Sequence, residues 1–325
     1  MAGTNGNSRH PQAPLDVVVV SYRCRELLRT CLDSLRAYPP ARGVRIVVVD
    51  NDSRDGTVEL VRDAYPDVRL VPLSENVGFA VASNIGIKEG RGEYVLALNP
   101  DTRLTGGALD LLLSLMDADP GVGIAGCRLV LPDGRLDHAA KRAFPTPLSA
   151  LGHFTRTGRR PSARGRLAAY RAPEVDEGPV DAVNGAFMLM RRAALDEIGA
   201  FDEDYWMYME DLDLCYRFAE AGWTTWYEPR ATVLHVKHGC SGGRRTPRLE
   251  LAFHAGMTRY YRKHNARENA AALNALVYAG IGTRLLLSLA SASALALWPA
   301  PRLRPEGRRP PLAVMDVSAD GELAS

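Results

Sequence analysis

Asn99-Pro100-Asp101 closes the apolar run Tyr94-Val95-Leu96-Ala97-Leu98. A short apolar run ended by proline reads as a buried strand. Asp101 therefore arrives at that strand's C-terminal tip, the edge where open α/β sheets bind ligands. One carboxylate beside a neutral asparagine suits a hard divalent cation shared with substrate phosphates. Turn chemistry accounts for the tripeptide equally well, so the other residues reaching that edge decide.

Three earlier clusters also follow apolar runs: Ser21-Tyr22; Asp50-Asn51-Asp52-Ser53 with Asp55-Gly56-Thr57; and Glu75-Asn76-Val77-Gly78-Phe79-Ala80, continuing to Asn84. Any one of them is a plausible turn or helix cap. Four in consecutive strand–helix units on one edge are harder to assign to capping. Asp50 can accept from a base N–H, hydroxyls and amides can hold ribose, and a cation on Asp101 would neutralise a diphosphate.

A fifth constellation runs from Phe201 to Cys215 and contains Tyr205-Trp206-Met207-Tyr208-Met209-Glu210-Asp211-Leu212-Asp213. Acids in a first helical turn complement the helix dipole, which accounts for Asp213. Carboxylates interleaved with Tyr, Trp and Met suit a pocket with apolar walls and one carboxylate held for proton abstraction.

The elements that must position these residues alternate. Strands are expected over 15–22, 44–50, 68–73 and 94–98, and helices over 25–37, 55–64, 79–88 and 107–118. That alternation implies βαβ units and a parallel sheet. Beyond it come a strand-like stretch over 122–131, an ordered stretch over 180–191, a helix over 210–221, short strands over 223–228 and 232–236, and a helix over 247–264. Residues 138–179 lack periodicity and are rich in arginine: Arg142, Arg156, Arg159, Arg160, Arg164, Arg166 and Arg171. A loop of that length is functional or disordered.

The 325 residues include 46% hydrophobic and 24% charged side chains, and the net charge is +2. This is an ordinary globular composition, and its charge gives no argument for nucleic acid as a partner. Cys24, Cys31, Cys127, Cys215 and Cys240 show no paired spacing, which fits packed, reduced thiols. Residues 1–14 are polar, without the apolar core of a signal peptide, and are expected to be disordered. Residues 270–298 are almost wholly apolar, interrupted by Asn274 and Arg284. An arginine near the middle makes a simple membrane span costly. A helix or helical hairpin lying in the membrane interface fits better, with Arg302, Arg304, Arg308 and Arg309 near anionic head groups. The alternative is a helix packed on the preceding domain.

The motifs V-V-V-V-S-Y, V-V-V-D-N-D-S-x-D-G-T, E-N-V-G-F-A-x-A-x-N-x-G, L-N-P-D, V-N-G-A-F-M-L-M-R-R and F-D-E-D-Y-W-M-Y-M-E-D-L-D-L-C-Y-R, in this order, resemble the inverting GT-A glycosyltransferases of family 2. The match is closest to the rhamnosyltransferase-like branch. It spans residues 15–265; neither the basic 138–179 loop nor the tail carries a family motif. The resemblance implies a GT-A fold: an α/β, Rossmann-like, mostly parallel sheet flanked by helices, here followed by a C-terminal helical membrane-associating segment. It divides the chain into a disordered 1–14, a glycosyltransferase domain over 15–265, an apolar helical segment over 266–298 and a disordered tail over 299–325.

The same resemblance implies residue roles. Ser21, Tyr22, Asp50 and Ser53 would lie against the nucleotide base and ribose. Asn76, Gly78 and Asn84 would shape the donor pocket. Asp101 would hold Mg²⁺ or Mn²⁺ as the last member of a D-x-D-type motif whose first member here is Asn99. Asn184 and Gly185 would border donor and acceptor. Asp211, with Glu210 beside it, matches the general base. His235 stands where a late metal or diphosphate ligand is often found, with His238 as its competitor. The implied reaction moves a sugar, with L-rhamnose from dTDP-L-rhamnose the leading donor, to a glycan or lipid-linked acceptor in bacterial cell-envelope polysaccharide synthesis. The implied setting is peripheral, on the cytoplasmic face of the plasma membrane. Two rival readings are a nucleotidyltransferase that makes the sugar nucleotide and an inactive nucleotide-sugar-binding membrane module. The first βα turn, Ser21-Tyr22-Arg23-Cys24-Arg25, has no glycine for a triphosphate loop, and the presence of both Asp101 and Asp211 argues against inactivity.

Overall fold

The computed structural model describes residues 15–146, 175–237 and 246–297. The expectations for 1–14 and 299–325, most of the basic loop's arginines, His238 and Cys240 lie outside the described residues.

The first strands are β1 (Leu15–Ser21), β2 (Val44–Asp50), β3 (Arg69–Pro72) and β4 (Tyr94–Leu98). Apolar runs bury β1, β4 and most of β2 on both faces, as parallel strands require, while β3 forms the partly exposed edge. Helices α1 (Arg25–Ala37), α2 (Thr57–Ala64) and α3 (Phe79–Lys88) connect them. In α1, Leu28, Cys31, Leu32 and Leu35 recur at helical spacing and are buried. The spatial order β3-β2-β1-β4 is parallel throughout. The chain crosses from one side of β1 to the other between β3 and β4. The crevice of such a sheet opens at that switch point, between the tips Ser21 and Asn99.

The sheet then extends beyond what the sequence pattern shows. After β5 (Thr102–Leu104) and α4 (Ala108–Ala118) come β6 (Val122–Val130), β7 (Lys141–Arg142), β8 (Gly178–Pro179), β9 (Ala182–Val183), β10 (Phe187–Arg191) and α5 (Arg192–Ile198). Helix α6 (Glu210–Glu220), β11 (Thr224–His235), α7 (Pro247–His264) and α8 (Ala271–Leu297) complete the described chain. Strand β10 runs antiparallel between β4 and β6, and β11 runs parallel to β6. Two reversals restore the original sense, so the C-terminal ends of β1, β2, β4, β6 and β11 share one edge. Strands β7 and β9 form a separate two-stranded sheet.

Two expectations over the later elements are corrected. The strands expected over 223–228 and 232–236 are one element, β11, with a register shift between Glu228 and Thr232. Pro229 cannot donate to a ladder, and the bulge accommodates it. The apolar C-terminal segment is not a hairpin. It is one continuous helix: arginine has ample helix propensity, and Gly280 and Gly282, at about 1 kcal/mol each, weaken the run without ending it. Its first turns dock on α7, where Tyr261 donates to Asn274 at 2.7 Å and stacks edge-on against Tyr278 at 5.6 Å. Over Ala271–Ser291 the helix has a mean hydropathy of 1.4 and is 6% buried, so it is not a core helix of this domain.

Candidate active site

The βα loops at the shared edge are tied together by their own polar groups. Ser53 N–H donates to Asp50 Oδ2 at 3.2 Å, and Arg23 N–H donates to Ser53 Oγ at 3.1 Å. Ser53 Oγ in turn donates to the Ser21 carbonyl at 3.4 Å. Ser53 thus staples the loop after β2 to the loop after β1. Asp50 keeps Oδ1 buried without a hydrogen-bond partner, and burial raises its pKa above the usual carboxylate value. An acceptor left open in this way fits a donor N–H from a nucleobase. Tyr22 is half-buried and carries the Arg23 guanidinium 5.2 Å from its ring centre.

The loop before α3 is fastened by Asn51, whose role the sequence pattern did not single out. Its amide donates to Asn76 Oδ1 at 3.3 Å and to the Gly78 carbonyl at 3.2 Å, and its own Oδ1 accepts from Val77 N–H at 3.0 Å. Gly78 has φ +91°, and a Cβ there would lie 2.5 Å from the Trp206 carbonyl oxygen. This position requires glycine on both counts. Phe79 N–H donates to that same carbonyl at 2.8 Å, so the loop before α3 meets the 201–211 segment directly. Asn84 acts at the same junction: its amide pairs with Phe201 N–H, the Phe201 carbonyl and Glu203. It fastens α3 to this segment rather than standing open to a ligand.

Asp101 and His235, distant in sequence, are brought together by β5 pairing with β11, where His235 lies opposite Thr102. Val236 N–H donates to the Asp101 carbonyl at 2.8 Å. His235 Nε2 is 3.5 Å from Asp101 Oδ1, an ion-pair contact that leaves this buried oxygen without a hydrogen-bond donor. His235 Nδ1 lies 3.0 Å from Asp137 Oδ2, and Lys237 Nζ donates to Asp137 Oδ1 at 2.7 Å. Burial alone would lower the histidine's pKa; the Asp101 and Asp137 carboxylates outweigh it and raise the value to about 9. Two carboxylates flanking one imidazole give this corner of the site its negative charge. Among the described residues no group of three or more His, Cys, Asp or Glu side chains forms a metal cage. Asp101 and His235 fit instead a cation that takes its remaining ligands from substrate phosphates and water. Asn99 is half-buried, and its backbone N–H donates to the Ala186 carbonyl at 2.9 Å.

Asp211 stands at the start of α6. Its Oδ2 accepts from Gly185 N–H at 3.0 Å and from the Arg142 guanidinium at 2.5 Å; its Oδ1 accepts from Leu212 N–H at 2.8 Å. A Cβ on Gly185 would lie 3.3 Å from the Asp211 Cβ, so glycine permits this close approach. Asn184 folds the same turn by accepting from Ala186 N–H at 2.8 Å. Glu210 is buried with Oε2 unpartnered; burial, then the Asp211 charge, pushes its carboxyl well above the usual range. The turn that presents both acids is strained, with Tyr208 at φ 71° and Met209 at φ 74°. The other non-glycine residues with positive φ among the described residues are Arg23, Asp52 and Arg54, all in the loops after β1 and β2. Such conformations concentrate at functional sites. Gly256 of α7 makes room for the turn, since a Cβ there would lie 2.8 Å from the Tyr208 carbonyl.

Asp137 and Gly256 carried no signal as site residues in the sequence, and Asn51 and Arg142 stood only within a polar cluster and a basic loop, without an assigned role. Each acts across a long sequence gap that only the tertiary fold closes.

The family model described as "Glycosyl transferase family 2" matches residues 16–199. The chain is 35% identical over 258 residues to N-acetylglucosaminyl-diphospho-decaprenol L-rhamnosyltransferase of Mycobacterium tuberculosis, covering 74% of this chain and 81% of that protein. Among solved structures it resembles the mannosyltransferase PcManGT from Pyrobaculum calidifontis in complex with GDP-Man and Mn²⁺. The TM-score is 0.54 at 19% identity, with 89% of this chain and 81% of that one covered. It also resembles GalNAc-T7 with UDP, GalNAc and Mn²⁺, with TM-score 0.56 and 15% identity over 77% of this chain and 48% of that one. At such identities the structural likeness shows the fold, which is the GT-A arrangement of a central sheet flanked by helices.

Proposed function

This chain is a member of glycosyl transferase family 2, and from that premise we propose that it transfers L-rhamnose from dTDP-L-rhamnose to a lipid-linked acceptor by a single inverting displacement. The observation that carries the reading is the fixed carboxylate of Asp211 on the sheet edge that also holds Asp101 and His235. Three hydrogen bonds orient Asp211, and a carboxylate offers about four lone-pair directions. The remaining one, on Oδ1, is free to take the proton of an acceptor hydroxyl. That oxygen attacks the anomeric carbon from the face opposite the leaving diphosphate, so configuration inverts and no covalent nucleophile is needed. Glu210, kept neutral beside it, spares Asp211 a second like charge.

Asp50 Oδ1 would receive the base, with Ser21 and Tyr22 forming the nearby wall. Asp101 and His235 would hold Mg²⁺ or Mn²⁺, which when bound supplies charge stabilisation to the departing nucleoside diphosphate. The named activity of the mycobacterial relative supports both the donor sugar and a polyprenyl-diphosphate-linked acceptor in cell-envelope polysaccharide synthesis. The domain over 15–265 carries the chemistry. The exposed α8 within 266–298 gives peripheral membrane contact, at the cytoplasmic face where nucleotide sugars are found.

The test is nucleoside diphosphate release from a panel of nucleotide sugars, with and without a membrane extract, followed by the anomeric configuration of the product. Turnover confined to dTDP-L-rhamnose with an inverted linkage is expected. Inorganic diphosphate made from a nucleoside triphosphate and a sugar phosphate would replace this reading with the nucleotidyltransferase. Binding without turnover of any donor would leave an inactive module.

A further inference from the structure

The last turns of α7 and the 3₁₀ turn Ala266–Glu268 border an open cavity of about 590 Å³ lined by Arg259, Arg262, Lys263, Ala266 and Arg267. Four of the five lining side chains are cationic and none is acidic. Two are braced from outside the lining. Arg259 pairs with Asp204 and lies 3.5 Å from Asp202, and Lys263 reaches Asp202 at 2.8 Å and Asp213 at 2.7 Å. Arg262 and Arg267 take part in no ion pair among the described residues. Arg262 and Arg267 stand beside the two paired cations without a counter-charge of their own, which raises the local potential for anions. Guanidinium forks match phosphate oxygens in geometry.

Directly after this cluster the chain enters α8 at Ala271. Leu276, Leu286 and Leu287 are 68%, 69% and 64% exposed there. Arg284 is the only charged residue of the helix. A basic cavity at the root of an exposed apolar helix reproduces the layering of a membrane surface: phosphate level first, hydrocarbon beyond it. A second copy of this chain could cover the leucines, but such a contact has no need of the basic cavity beside them.

We infer that this cavity is a phosphate-binding site for the head groups of an anionic lipid surface, with Arg262 and Arg267 seating the phosphates while α8 lies against the acyl region. The inference rests on the reading of α8 as a membrane contact and adds to it a lipid selectivity and the residues responsible. The site is also linked to catalysis, because Lys263 and His264 bond to Asp213, two positions from Asp211. Docking at the cavity therefore fixes the helix that carries the base relative to the bilayer.

The full chain is tested by flotation with vesicles of phosphatidylcholine alone and of phosphatidylcholine with phosphatidylglycerol, at low and high salt. Wild type should bind phosphatidylglycerol vesicles much more strongly, and salt should weaken that binding. Replacing both arginines in R262Q/R267Q should reduce binding to those vesicles roughly 25-fold, since each basic residue near an anionic surface contributes about fivefold. R262E/R267E should reduce it further. Unchanged melting by circular dichroism shows that the variants fold, and the milder pair serves if the charge reversal does not. A parallel variant with Arg302, Arg304, Arg308 and Arg309 changed to serine should keep most of the phosphatidylglycerol preference. If the tail variant loses that preference while R262Q/R267Q keeps it, the assignment of the cavity is overturned and the membrane reading of α8 stands. If wild type floats with neither vesicle, or self-associates through α8 without binding lipid, the membrane reading itself fails.

Discussion

The Arg142 guanidinium sits 2.5 Å from Asp211 Oδ2 and also donates to the Val183 carbonyl at 2.8 Å. This ties β7 and β9 to the first turn of α6. The expected base is thus positioned from two directions, by Gly185 on the sheet side and by Arg142 on the other. A catalytic carboxylate displaced by about 1 Å can lose on the order of a hundredfold in rate, so these partners matter as much as the acid.

Arg142→Ala should lower kcat at least about tenfold while leaving the KM for the nucleotide sugar nearly unchanged. Asp211→Asn should lower turnover by about a hundredfold or more with nucleoside diphosphate affinity intact. Steady-state kinetics with calorimetric nucleotide binding separates these effects from misfolding. Wild-type turnover in a folded Asp211→Asn protein would remove Asp211 as the base.

Asp101→Ala should abolish the Mn²⁺-dependent part of nucleoside diphosphate affinity, because Asp101 is the anionic member of the proposed ligand pair. Asp137→Asn should weaken the same affinity about tenfold. Asp137 touches His235 Nδ1 and so sets which way Nε2 faces, and losing such a partner typically costs 10–100-fold in metal affinity. Calorimetry with and without Mn²⁺ reads both effects apart from activity. Equal affinity in Asp137→Asn and wild type would show that the histidine is oriented by other contacts.

Gly78→Ala should destabilise the domain by about 2 kcal/mol, since it combines a positive φ with a clash against the Trp206 carbonyl. Urea unfolding measures this. Relief of the clash by local movement would instead separate the donor loop from the base segment, and the protein would stay stable but bind donor weakly.

Alongside Asp137, where burial is likewise outweighed by cationic partners, Asp213 contributes to acid stability. Burial alone would raise its pKa, but hydrogen bonds from His264, Lys263 and Arg217 hold it well below the ordinary 3.8. The unfolded chain therefore binds the proton more readily, and stability rises with pH. The contribution is complete above the unfolded value and is lost as pH falls from about 4 through the depressed folded value. Asp213→Asn should be less stable at pH 7 and show a flatter loss of stability on acidification. Denaturant midpoints between pH 3 and pH 7 test both. Parallel acid limbs in the two proteins would place the titrating group elsewhere.

The strand–helix alternation through α4 was legible in the sequence because local periodicity alone dictates it. Valine-rich runs bury on both faces, and Leu28, Cys31, Leu32 and Leu35 can share a face only in a helix. Asp50, Asn99 and Asp101 were legible for the same reason, since each follows an apolar run and must emerge at its tip. The Phe201–Cys215 segment announced itself by carrying charge among aromatic residues. The second half of the site had no such local signal. Asp137, Arg142 and His235 lie in or beside short, irregular or bulged strands, and their partners at the site are far away in the sequence. The meeting of His235 with Asp101, of Arg142 with Asp211, and of Gly78 with Trp206 is set by register between segments far apart in the chain. Sequence by itself determined which residues could do chemistry and which edge the first four units would bring them to. Only the tertiary structure decided which of them touch, because contact across a sheet depends on strand order and register, and neither is encoded in the period of any one strand.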